Sequence, residues 1–144
     1  MALVWIYSAE NVNWEELSEL YRLAPLGQKE PFDLQVAFAN SMFKCFVYEA
    51  ERLVAAGRAL ADGRDCSYIC DVAVLPSHQG VGLGRELVSK LVELSREHKK
   101  IILYAAKGKE PFYRKLGFKR MTTAMAIFKD EAQALRNGVI IDEP

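Results

Sequence analysis

A mixed α+β sheet is the fold class this sequence predicts, and three observations carry it. Strand-like segments separated by short turns come early, a strand–helix–strand unit follows, and the glycine-rich stretch QGVGLG opens the helix of that unit. Antiparallel strands can be joined by tight turns, whereas a parallel pair needs a long crossover, so this order builds one sheet with both pairings. The 144 residues are 51% hydrophobic and 26% charged, enough for one self-supporting core, so a single domain over 1–144 is expected.

The elements follow in order. Residues 3–7 (LVWIY) predict a short strand. Asn13 predicts an N-cap for a helix over 14–23, where Glu15 and Glu16 suit the positive end of the helix dipole. Pro25 and Gly27 stop it. A second helix over 31–41 enters at Pro31 and spaces Leu34, Phe38 and Met42 four residues apart. Strands over 43–49 and 53–61 flank a hairpin turn at 50–52, and Asp62-Gly63 turns the chain into a strand over 65–75. Its end, VAVL, is apolar throughout, as a strand buried on both faces should be. Leu83, Leu87, Leu91 and Leu94 then make one helical stripe opposite Arg85, Glu86, Lys90, Glu93 and Glu97. A strand over 101–106 completes the crossover unit. A short helix over 110–116 stops at Gly117, a last strand is expected over 118–128, and a terminal helix over 131–136.

Composition narrows the partners. Nineteen Lys and Arg balance 19 Asp and Glu, so no global field draws in a polyanion, and nucleic acid is not expected as a partner. No run reaches the length of a membrane span, and the start MALVWIYSAE lacks a basic region and a cleavage site. No membrane partner and a cytoplasmic location are therefore expected. Cys45, Cys66 and Cys70 are odd in number and form no CxxC pair, and His78 and His98 lack spaced partners, so neither disulfide nor metal site is expected.

Three glycines at alternate positions make a helix start costly to order, because glycine loses the most backbone entropy on folding. A bare backbone there lets an anion reach N–H groups that the helix leaves unpaired. The spacing is neither the dinucleotide fingerprint GxGxxG nor a P-loop, and a turn made for close helix–sheet packing is the alternative reading.

VAVLPSHQGVGLGRELV and, downstream, PFYRKLGF together resemble the Gcn5-related acyl-CoA-dependent N-acetyltransferases (GNAT). Gln79, Gly82 and Gly84 match that family's Q/R-x-x-G-x-G/A motif, and FYRKLGF its second signature. The resemblance implies the acyl-CoA N-acyltransferase fold, with a sheet splayed between the strands at 68–75 and 101–106 and acetyl-CoA in the opening as co-substrate. It implies that the pyrophosphate meets the amides of Gln79, Gly80, Val81, Gly82, Leu83, Gly84 and Arg85. The pantetheine arm would pair with the backbone of Val72, Ala73 and Val74.

By the same resemblance Tyr113 is the general acid for the departing thiolate, and a backbone N–H near Val74 the oxyanion donor. Asp71 is a candidate base or water-positioning group, with Tyr68 and Glu49 as alternatives. Acceptor recognition in the family falls on the first helices, here 21–41, where Tyr21, Phe32 and Phe38 with Glu30 and Asp33 suit a cation with an apolar body. Simple packing of those rings is the alternative. Ala106 stands where members often carry Asn, so that side-chain contact is lost, and Lys107, Lys109 and Lys115 are candidates for the cofactor's 3′-phosphate. The implied function is acetyl transfer to a primary amine of a small-molecule acceptor in a direct ternary complex. A catalytically weak acetyl-CoA-binding regulatory module stays open, as does a protein-lysine or amino-sugar acetyltransferase. A homodimer is expected from the family's habit and from the apolar run Val139, Ile140 and Ile141.

Overall fold

Asn13 turns its side-chain oxygen onto the N–H groups of Glu15 and Glu16, at 3.0 and 3.1 Å, and helix α1 (Trp14–Leu23) starts there. The computed structural model describes residues 2–143. Helix α2 (Pro31–Ala39) begins, as its sequence predicts, with Pro in the first turn, and buries Leu34 and Phe38 while Met42 beyond it is exposed. The strands are β1 (Val4–Ile6), β2 (Phe43–Glu49), β3 (Arg52–Ala61), β4 (Cys66–Val74) and β5 (Lys100–Ile102). They lie in that order, antiparallel except for the parallel β4–β5 pair. Helix α3 (Leu83–Leu94) makes the crossover between β4 and β5.

The β2–β3 turn is tighter than the sequence predicts. Glu49 pairs directly with Arg52, and Ala50 and Glu51 carry φ of 48° and 67°. Two left-handed residues match the twist of a hairpin, and here neither is glycine. After β3, the Asp62 carboxylate accepts from the N–H groups of Arg64 and Asp65 at 2.8 and 2.7 Å and closes the next turn.

The core lies on both faces of the sheet. On one face the rings of Trp14, Phe38 and Phe46 stack in sequence, with centroids 6.1 and 5.1 Å apart. On the other, the stripe of α3 buries Leu83, Leu87, Val88 and Leu91. Full burial of such a side chain is worth about 1.5–3 kcal/mol, which makes the stripe the main force holding α3 on the sheet. Ser95 Oγ donates to the Leu91 carbonyl at 2.7 Å and so accepts from Ser67 Oγ at 2.8 Å, joining the end of α3 to β4 without an unpaired buried hydroxyl.

Two expectations are corrected. The strand expected over 101–106 is β5, Lys100–Ile102, and the chain leaves the sheet after it. No strand is formed over 118–128, where Met125 and Ile127 stand almost fully exposed. Period-two alternation makes a strand only when a neighbouring edge takes its backbone groups, and among the described residues none does so there.

The chain divides into two compact units, one running to Leu103 and one from Tyr104 onward. The second holds α4 (Glu110–Lys115) and α5 (Glu131–Arg136). No helix among the described residues is long and apolar enough to cross a membrane.

Candidate active site

The end of β4 shapes the glycine turn. Pro76 starts a single 3-10 turn (Pro76–His78), and the Gln79 side chain reaches back to donate to the Val74 carbonyl at 2.8 Å. Gly80 and Gly82 follow with φ of 80° and 90°, conformations that other L-residues rarely hold. Gly82 is the N-cap of α3 and brings no side chain to it. The helix's first internal bond runs from the Glu86 N–H to the Gly82 carbonyl, so the N–H groups of Leu83, Gly84 and Arg85 have no helical acceptor. A Cβ on Gly80 would meet nothing within 4 Å, and one on Gly82 only Arg85 Nη2 at 3.8 Å. Close packing is therefore not what these two glycines serve. They supply a left-handed, bare backbone at the positive end of a helix, a donor set that fits a pyrophosphate. The turn is anchored from behind, where His78 Nε2 lies 3.1 Å from Glu49 Oε1 and its Nδ1 lies 2.8 Å from Ser77 Oγ.

The strand before this turn is open along one edge. Antiparallel pairing with β3 continues to Val74, but β5 pairs only with residues 66–68. Beyond Tyr68 no strand among the described residues covers that edge of β4, which includes Val72, Ala73 and Val74. The sheet therefore splays where an extended ligand could pair with the backbone.

A bulge bends β4 at the same place. Ala56 pairs with Ala73 and Arg58 with Cys70, so Gly57 alone stands opposite Asp71 and Val72. Asp71 has φ of 55°, a strained value for a residue with a side chain. Its carbonyl accepts from the Tyr21 hydroxyl at 2.6 Å. Its carboxylate meets Arg58 Nε at 2.7 Å and Lys29 Nζ at 3.5 Å. Arg58 also donates to Ser41 Oγ at 3.2 Å and lies 5.8 Å from the centre of the Phe38 ring. Lys29 lies 5.6 Å from the centre of the Tyr21 ring.

Of the aromatic residues expected to receive an acceptor, Tyr21 and Phe38 are fully buried and only Phe32 is exposed. Burial, with the Asp71 carboxylate second, pushes the Tyr21 phenol well above its ordinary value, so it holds its proton as a donor. Asp71, a candidate base or water-positioning group in the sequence, is held by two cations. The sequence reading missed Arg58 and Lys29, since each joins Asp71 only through the fold.

In the second unit, Tyr113 stands on α4 with the rings of Phe112 and Phe118 edge-on at 5.0 and 6.0 Å. Burial raises its phenol above the ordinary value of 10.0, so it remains a proton donor at neutral pH. Lys107, Lys109 and Lys115 are exposed. Elsewhere, burial pushes the thiols of Cys45 and Cys70 up to about 12 and about 11, which removes them as nucleophiles at neutral pH. No group of three His, Cys, Asp or Glu among the described residues could hold a metal ion.

A sheet splayed beside a glycine-rich helix start defines the acyl-CoA N-acyltransferase class of fold. The sequence profile of the Acetyltransferase (GNAT) family matches residues 7–118, and the chain belongs to that family. It is 46% identical over 59 residues to glucosamine 6-phosphate N-acetyltransferase of Trypanosoma brucei brucei, a match covering 40% of this chain and 40% of that one. The chain thus spans well under two thirds of that relative's length. An uncharacterised N-acetyltransferase, ycf52, of Pyropia yezoensis is 29% identical over 121 residues, covering 80% of this chain and 70% of that one. Among solved structures, a probable acetyltransferase of unknown function from Staphylococcus aureus superposes with a TM-score of 0.79 at 23% identity, over 88% of this chain and 98% of the other. That likeness speaks for the fold alone.

Proposed function

We propose that this protein transfers an acetyl group from acetyl-CoA to a primary amine of a small-molecule acceptor, within one ternary complex and as one functional domain. The observation that carries this reading is the pair of left-handed glycines, Gly80 and Gly82, at an uncapped helix start beside the free edge of β4. Acetyl-CoA, when bound, supplies the activated acetyl group. The amides of residues 79–85 hold its pyrophosphate, and the backbone of Val72, Ala73 and Val74 pairs with its pantetheine arm. A backbone N–H near Val74 steadies the carbonyl oxygen as negative charge develops on it. Tyr113 Oη holds the proton that the departing thiolate needs, and burial keeps that proton in place at neutral pH.

Asp71 is assigned a positioning role. Its ion pair with Arg58 at 2.7 Å and the Tyr21 hydroxyl bond to its carbonyl hold the bulge of β4 in place. The incoming amine loses its proton to water. The protein acts in the cytoplasm as a homodimer joined through its C-terminal apolar run, of which Ile141 is 72% exposed. Light scattering that gives a monomer at high micromolar concentration would remove the dimer.

The test of the activity is steady-state turnover of a panel of small primary amines with acetyl-CoA, with lysine peptides alongside. Turnover of small amines above peptides is expected. Acetyl-CoA binding without turnover of any acceptor would point to a regulatory module.

A further inference from the structure

Lys29 and Arg58 meet at Asp71 with more donors than it can accept. Arg58 spends its Nε–H on Asp71 and Nη1 on Ser41, while Nη2 has no bond to the described residues. Lys29 brings three N–H donors and has Asp71 as its ion-pair partner. Glu30 and Asp33, the nearest acids in sequence, form no ion pair among the described residues. Two cations against one carboxylate leave the cluster with one formal positive charge.

The cluster is held in place before any ligand arrives. The Arg58, Asp71 and Lys29 side chains are only 15%, 18% and 29% exposed, and each cation also rests on an aromatic ring. The loop carrying Lys29 is fixed by Ser18, whose hydroxyl donates to the Lys29 carbonyl. Yet no buried side-chain nitrogen or oxygen among the described residues lacks a partner, so the spare donor of Arg58 is not fully buried. Preorganised, partly desolvated donors with spare charge are what an anion needs. The position is also informative. Asp71 directly precedes Val72, and a strand advances about 3.3 Å per residue, so the cluster lies within a small molecule's length of Val74.

We infer that Lys29 and Arg58, converging on the bulge at Asp71, bind an anionic group, a carboxylate or a phosphate, carried by the amine acceptor. This rests on the acetyl-transfer reading for the identity of the ligand as an acceptor. The exposed ring of Phe32 and the buried rings of Tyr21 and Phe38 leave charge as the main means of selection here.

The test is calorimetric titration of the full-length protein, saturated with coenzyme A so that no turnover occurs, with matched amine pairs. One pair is O-phosphoethanolamine and ethanolamine; the other is β-alanine and propylamine. At least one anionic member is expected to bind about ten- to a hundredfold more tightly than the counterpart amine that lacks the anionic group, the range of a charge-assisted hydrogen bond. Which pair shows the preference tells phosphate from carboxylate. Lys29→Gln and Arg58→Lys should each reduce the preference, and Lys29→Arg should retain most of it. Equal affinities within both pairs, failure of both anionic amines to bind, or a preference unchanged in Lys29→Gln overturns the inference. The comparison within each pair uses the wild-type chain, so it stands even where a variant fails to fold. Preference for the anionic amine without acetylation of any amine would keep the anion site and reject acetyl transfer. Acetylation of amines with no such preference would do the reverse.

Discussion

The Tyr21 hydroxyl donates to the backbone carbonyl of Asp71 at 2.6 Å, tying a fully buried residue of α1 to the strained bulge of β4. A carbonyl held this way cannot rotate into the regular ladder, so the bond helps the bulge persist. Tyr21→Phe keeps the ring and removes the donor. The expected cost is about 1–2 kcal/mol, the usual penalty for a partly buried carbonyl left without its partner. Urea unfolding of the variant measures it, and an unchanged midpoint would show that water replaces the hydroxyl without loss.

Gly57 is the one residue opposite both Asp71 and Val72, and a Cβ there would stand 3.1 Å from Leu91 Cδ1 and 3.3 Å from Val72 Cγ2. Gly57→Ala therefore makes the Leu91 and Val72 side chains give way by a few tenths of an ångström. A loss of about 1–3 kcal/mol is expected, as for other overpacked cores. Gly57→Val should cost more. Denaturant midpoints that match wild type for both variants would mean that α3 moves freely on the sheet.

The turn after β3 gives a pH dependence. Backbone N–H groups of Asp65 and Arg64 hold the Asp62 carboxyl down at about 2, from an ordinary value of 3.8. A carboxyl lowered by folding stabilises fully above its unfolded value and loses that contribution as pH falls through its folded one. Between pH 3.8 and 2, wild type should thus lose melting temperature faster than Asp62→Asn, which keeps an acceptor oxygen but does not titrate. Parallel melting curves would place the acid sensitivity elsewhere.

Much of this was legible in the residues, and the failures share a cause. The bounds of α1 and α5 follow from local signals: Asn13 caps one and Asp130 the other. The α3 stripe and the glycine turn are equally local. The bulge cluster is not, since Lys29, Arg58 and Asp71 lie far apart in sequence and on three different elements or loops. Nothing in the sequence near Asp71 announces its cations. The same limit explains residues 118–128, where alternation signalled a strand but pairing depends on a partner edge.

Tyr113→Phe tests the proton donor. The ring stays among Phe112 and Phe118, so fold and acetyl-CoA affinity should change little. A general acid contributes about 10²–10⁴-fold, and solvent protons can replace part of it, so kcat should fall by about 10²-fold. Because burial raises this phenol, the alkaline loss of kcat that reports its ionisation should lie above pH 10.0 in wild type. An unchanged kcat, with chemistry shown to limit turnover, would remove Tyr113 from that role.

The bare glycine turn as a pyrophosphate cradle is most directly tested by calorimetric titration of acetyl-CoA into wild type, Gly82→Ala and Gly82→Asp. Both substitutions strain the same φ of 90°, but only the aspartate sets a carboxylate against the first N–H groups of α3. In folded protein, affinity should fall for alanine and fall by at least a further tenfold or so for aspartate, the loss of one charge-assisted bond. Acetyl-CoA binding to a folded Gly82→Asp chain as tightly as to wild type would contradict the cradle, and with it the acetyl-transfer reading.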